Sequence, residues 1–157
     1  MTELDPCAMN AAEIAPMLRA WAQGMYVDEA AVGLLICHGH WLTRRDFRAQ
    51  CVDALQDGWT RDGVASLASI DWTAAVKLAE SGPCSSSEKA MLLTACSLAG
   101  VDAGPLSTLT RSLDHANLTL VLQAIAHRAG WHEHFFMTTV TGHLDDSDAF
   151  LTPDGPR

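Results

Sequence analysis

Residues 30–39 read AAVGLLICHG, and whether this run is strand or helix decides the fold class. A short apolar run suits either a buried strand or a buried helix, and periodicity does not separate them. Two features favour a helix. Asp28 and Glu29 precede the run, where the positive end of a helix dipole attracts carboxylates, and Gly39 stands where a helix stops. A strand also needs a partner, and no second strand candidate presents itself. The reading is therefore helix, and with it an all-α fold.

The neighbouring segments are read the same way. Before the run, Asn10 opens NAAEIAPMLRAWAQG, with Ile14, Met17, Leu18 and Trp21 on one face and Gly24 as its end. Pro16 removes a helical donor, so this helix starts near Pro16 or kinks there. After the run, Thr43 precedes RRDFRAQCVDALQDG, in which Phe47, Cys51, Ala54 and Leu55 form an amphipathic stripe closed by Gly58. Asp71 caps DWTAAVKLAESG, and Ser85 with Glu88 spells a capping box before MLLTACSLAG. Pro105 starts a short turn of helix, and Asp114 caps DHANLTLVLQAIAHRAG. In that last segment Leu118, Val121, Leu122 and Ile125 share a stripe, and the polar face is narrow. This predicts a central helix with neighbours on most sides.

After Gly130 the periodicity disappears. Residues 135–141 suit an extended segment, and residues 145–157 read as a mobile acidic tail. The expected architecture is one compact domain of about six helices over residues 1–144, followed by that tail. Its core should include Leu34, Leu35, Phe47, Leu55, Leu92, Leu98, Leu118, Val121, Leu122 and Ile125.

Charge narrows the function classes. Over 157 residues the formal charge is −9, which opposes binding to a nucleic-acid backbone or to an anionic membrane surface. The longest apolar run, Ala30–Cys37, is well short of the ~18–20 residues of a spanning helix. The acidic start MTELDPCAMN has no signal-peptide pattern, and five cysteines at irregular spacing suit reduced thiols. Together these lead to an expected cytoplasmic location.

Cys37-His38-Gly39-His40 is the densest cluster of chemically able residues, and His132-Glu133-His134 repeats its His-x-His spacing. Imidazole and thiolate suit zinc, so His38, His40, His132 and His134 are the metal candidates and Cys37 the thiol candidate. Neither Cys-x-x-Cys nor His-x-x-x-His occurs, however, and histidines at a helix end are favoured by the dipole alone. Other motifs are incomplete. Ser86-x-x-Lys89 lacks its companion motifs, and LLIC-His38-Gly39 lacks the Gly-x-Ser-x-Gly elbow of an α/β-hydrolase. Pro83-Cys84 has no second cysteine at residue 87, and His132-Glu133 is followed by Phe136 where a zincin has histidine. No nucleotide-binding glycine loop is present. No cofactor is expected.

Arg44, Arg45 and Arg48 form the one basic concentration, beside Trp41. Arg and Trp often dominate interface energies, so Trp41, Arg44, Arg45 and Arg48 are the candidate partner-binding residues. The reading that follows is a non-enzymatic helical module that binds another protein or a second copy of itself. Two alternatives stand beside it: a small metal- or thiol-dependent enzyme built on Cys37, His38 and His40, and an acidic nucleic-acid mimic. The even spread of 19 acids along the chain weakens the mimic.

Overall fold

The segment following Phe47 is where the all-α expectation fails. A computed structural model of the protein describes residues 2–131, and in it the helix that begins at Arg45 ends at Cys51. From Val52 the chain is extended: Val52 and Ala54 are buried while Asp53 between them is exposed, a two-residue alternation. Residues Val52–Thr60 pair antiparallel with Gly63–Ile70 through the two-residue loop Arg61-Asp62. Thr2–Leu4 adds a third strand along the other edge of Val52–Thr60.

The element order is β1 (Thr2–Leu4), α1 (Ala11–Ala22), α2 (Tyr26–His38), a single 3-10 turn (Trp41–Thr43), α3 (Arg45–Cys51), β2 (Val52–Thr60), β3 (Gly63–Ile70), α4 (Trp72–Ser81), α5 (Ser86–Leu98), α6 (Leu106–Leu109) and α7 (His115–Arg128). The fold is mixed, with seven α-helices and a three-stranded antiparallel sheet of order β1-β2-β3 among the described residues. The all-α helical bundle is thereby corrected. The expected extended segment at 135–141 and acidic tail at 145–157 lie outside the described residues.

The ladder is interrupted between Leu55 and Gly58, where Gln56 and Asp57 stand opposite the one residue Ser66. Asp57 takes a φ of 59° in this bulge, a region that Asp tolerates better than most residues. At the next residue, Gly58, a Cβ would lie 2.4 Å from Leu67 Cδ1, so a larger residue would require the Leu67 side chain to move. Beyond the bulge the hairpin continues to its tip at residues 61–62.

The helices that carry the core are α2 and α5. Helix α2 buries Ala30, Ala31, Val32, Leu34 and Leu35, confirming the helical reading of this run. Helix α5 buries eight residues, among them Met91, Leu92 and Cys96. Both capping boxes form as complete reciprocal pairs: Asn10 with Glu13 and Ser85 with Glu88. Asp71 and Asp114 cap α4 and α7 as expected. Helix α1 starts at Ala11 and continues through Pro16, with Ile14, Met17, Leu18 and Ala22 buried. It packs along β3, and α7 packs against α2 and α5.

Helix α7 is less central than its sequence indicates. Only Val121 and Ala124 are buried in it; Leu118 and Leu122 are half-buried, and Ile125 is exposed. Of the remaining expected core residues, Leu34, Leu35, Phe47, Leu92 and Leu98 are buried, and Leu55 is half-buried in the strand. No helix among the described residues is long and apolar enough to cross a membrane.

Candidate functional site

The Gly39–Arg48 corner joins α2 to α3 beside buried apolar residues, where an unpaired polar group is costly, and several of its side chains are hydrogen-bonded within the fold. Trp41 is fully buried and its indole N–H donates to the Glu88 carbonyl at 2.9 Å, tying the corner to the first turn of α5. Its ring meets Phe47 at 5.8 Å on one side and His40 edge-on at 5.5 Å. Arg44 stacks its guanidinium 4.7 Å from the Trp41 ring centroid. The same guanidinium donates to Asp46 Oδ1 at 3.0 Å and to the Pro83 carbonyl at 2.6 Å. Hydrogen bonding from Arg44 holds the Asp46 carboxyl below its usual range.

Arg48 is used in the same way. Its Nη1 donates to the Leu42 and Thr43 carbonyls at 2.9 and 2.7 Å, and its Nε to the Pro6 carbonyl at 3.2 Å. Three of the four residues proposed for partner binding, Trp41, Arg44 and Arg48, are therefore engaged within the fold, and Arg45 is the exposed one. Their composition resembles that of an interface because the corner is itself a packed junction between α2, α3 and α5.

His38 ends α2 and His40 follows Gly39, with ring centroids 6.0 Å apart. His40 Nδ1 lies 3.4 Å from Glu88 Oε1. Burial, and secondarily the His40 charge, push the His38 pKa below its usual value. His38 Nδ1 and His40 Nε2 have no hydrogen-bond partner among the described residues. Among the described residues no three His, Cys, Asp or Glu side chains are grouped to hold a metal, and His132 and His134 lie outside those residues. Cys37 is exposed; Cys51 and Cys96 are buried, with pKa values pushed up to about 12 chiefly by burial. The last two are packing residues at neutral pH, since the thiolate is the reactive form.

The β2–β3 hairpin shows the opposite arrangement. Trp59 and Val64 stand directly across the ladder from each other and are 82% and 54% exposed. Beside them, half-buried Trp21 and Leu67 line a groove of about 340 Å³ together with Trp59 and Thr60. The tip is held in place: Thr60 Oγ1 donates to the Gly63 carbonyl at 2.8 Å, and Gln23 Nε2 at the end of α1 donates to Asp62 Oδ2 at 3.2 Å. An apolar cross-strand pair is thus presented on a braced hairpin. The sequence signal was available in Trp59 and Val64 flanking a four-residue turn region with Asp62-Gly63, a pattern typical of hairpins.

A second pair was also missed. Glu29 and His127 are 98 residues apart in the chain, yet Glu29 Oε2 meets His127 Nε2 at 2.7 Å. The Gly24 N–H donates to Glu29 Oε1 at 2.8 Å, fixing the carboxylate from the end of α1.

Comparison with family models, curated proteins and solved structures finds no match for this chain.

Proposed function

We propose that the protein is a non-enzymatic interaction module that engages a protein partner, or a second copy of itself, through the β2–β3 hairpin. The observation that carries this reading is Trp59, 82% exposed opposite an exposed Val64. Leaving a tryptophan in water forgoes the burial energy of a large apolar ring, and Trp is the residue most enriched among binding hot spots. The adjoining groove with Trp21 and Leu67 extends the apolar surface, and the Thr60 and Gln23 hydrogen bonds keep it ordered before contact. Such preorganisation reduces the entropy lost on association.

Photo-crosslinking from residue 59 tests this. With a photoreactive phenylalanine analogue in place of Trp59, irradiation of cells should give one discrete adduct. The same analogue at the exposed Glu80 of α4 should give none. Absence of an adduct from residue 59, or equal labelling from both positions, would contradict the assignment.

A further inference from the structure

One face of the β2–β3 hairpin changes character along its length. Residues two apart on a strand share a face, and residues directly opposite across a ladder share it too. On β3 this groups Val64, Ser66, Ala68 and Ile70; the last two are buried and the first two exposed. On β2 the same face carries buried Val52 and Ala54, opposite Ile70 and Ala68, and then exposed Trp59 opposite Val64. The core-facing side of the sheet thus continues past the core as an exposed overhang. Gln56 and Asp57 both stand opposite Ser66, so the bulge puts the exposed Asp57 on that overhang as well.

The charges on the overhang select its occupant. Asp57 and Arg61 are exposed two residues to either side of Trp59, and neither makes an ion pair among the described residues. Four residues of extended chain span about 13 Å, too far for the two to pair within one hairpin. Asp62, the other acid at the tip, is tied to Gln23. A two-fold axis lying across the strand at Trp59 brings residue 57 of one copy opposite residue 61 of another. Each Asp57 then meets an Arg61 of the second copy, and the two Trp59 rings meet between the pairs. Building on the interaction role of the hairpin, we propose that the overhang is covered by the same overhang of a second copy. The dimer is two-fold, with reciprocal Asp57–Arg61 pairs around the Trp59 rings. A contact confined to hairpin tips belongs to the small, transient size class, so the dimer is concentration-dependent.

Sedimentation of the purified full chain over a concentration series, with charge variants, tests the proposal. Wild type should self-associate and Trp59→Ala should stay monomeric. Asp57→Asn keeps a residue that tolerates the positive φ and should weaken association. Asp57→Arg and Arg61→Asp should each weaken it roughly tenfold or more, because like charges then face each other at both pairs. Asp57→Arg also makes the chain less acidic, so overall charge repulsion would act in the opposite direction. An equimolar mixture of these two variants should associate again, since every facing pair in the mixed dimer has opposite charges. A wild-type monomer up to the solubility limit would overturn the proposal; a residue-59 crosslink to a different protein would then leave the interaction role of the hairpin standing. Association unchanged in Trp59→Ala or Asp57→Asn, or a mixture no stronger than either variant alone, would also overturn it.

Discussion

Trp41 and Trp59 occupy opposite situations. The first is fully buried at the α2–α3 corner, with its N–H bonded, Arg44 stacked over its ring, His40 perpendicular to it and Phe47 packed at a tilt. The second stands on a hairpin with four-fifths of its surface in water. By sequence, the corner has the stronger interface signature, since three arginines crowd its tryptophan. In the fold two of those arginines, Arg44 and Arg48, satisfy carbonyls and a carboxylate of the same chain. Residue type alone does not mark a binding surface; what matters is whether the chain has already consumed the residue's contacts.

This contrast sets the order of expected effects. Trp41→Ala should be the most damaging single change, costing about 3–5 kcal/mol as is usual when a fully buried large aromatic is truncated. Chemical denaturation would measure it, and a loss below 1 kcal/mol, the scale of a surface substitution, would break the comparison. Arg44→Ala should follow at about 1–2 kcal/mol, because it removes the stacked cation and charge-assisted bonds to Asp46 and Pro83. Arg44→Lys should recover little, since an ammonium cannot reproduce the planar fork that reaches both acceptors while stacked.

Acidification should reach the corner before it reaches the hairpin. The folded His38 pKa is depressed, so the unfolded chain takes up a proton first as the pH falls. The stabilisation linked to neutral His38 is present above its unfolded value near 6.5 and is lost as the pH falls through that value towards the folded pKa. Melting temperature should therefore drop between neutral and mildly acidic pH, and His38→Gln should flatten that slope. An unchanged slope in the variant would show that another group controls it. Asp46 acts lower down: its contribution is present above 3.8 and lost below it.

Trp59→Ala should have the smallest effect on the isolated protein, within about 0.5 kcal/mol of wild type, as for exposed positions generally. A larger loss would mean that the hairpin tip supports the fold, which would erase the distinction between the two tryptophans.

Much of the helical framework was legible because its signals are local. Asn10 with Glu13, Asp71, Ser85 with Glu88, and Asp114 each mark a helix start through bonds within three residues. The sheet was hidden by a coincidence of spacing. Phe47, Cys51, Ala54 and Leu55 fit a helical stripe, yet Val52 and Ala54 also begin a two-residue alternation, and over so short a run the two patterns share positions. Its partner GVASLASI is rich in Ala, Ser and Gly, which are weak strand markers. Helix α7 was over-read because its apolar residues exceed what its packing partners cover, leaving Ile125 exposed. The Glu29–His127 pair had no local signature at all; only the fold brings α2 and α7 together.

Hydroxyl-radical footprinting of the tryptophans, on the purified protein and in intact cells, tests the central claim most directly. In the dilute purified protein Trp59 should be oxidised fastest and Trp41 hardly at all. In cells Trp59 should become protected while Trp41 stays unchanged, because the proposed partner covers the hairpin and Trp41 is already buried. Equal oxidation of Trp59 in both settings, or rapid oxidation of Trp41 in either, would contradict the account.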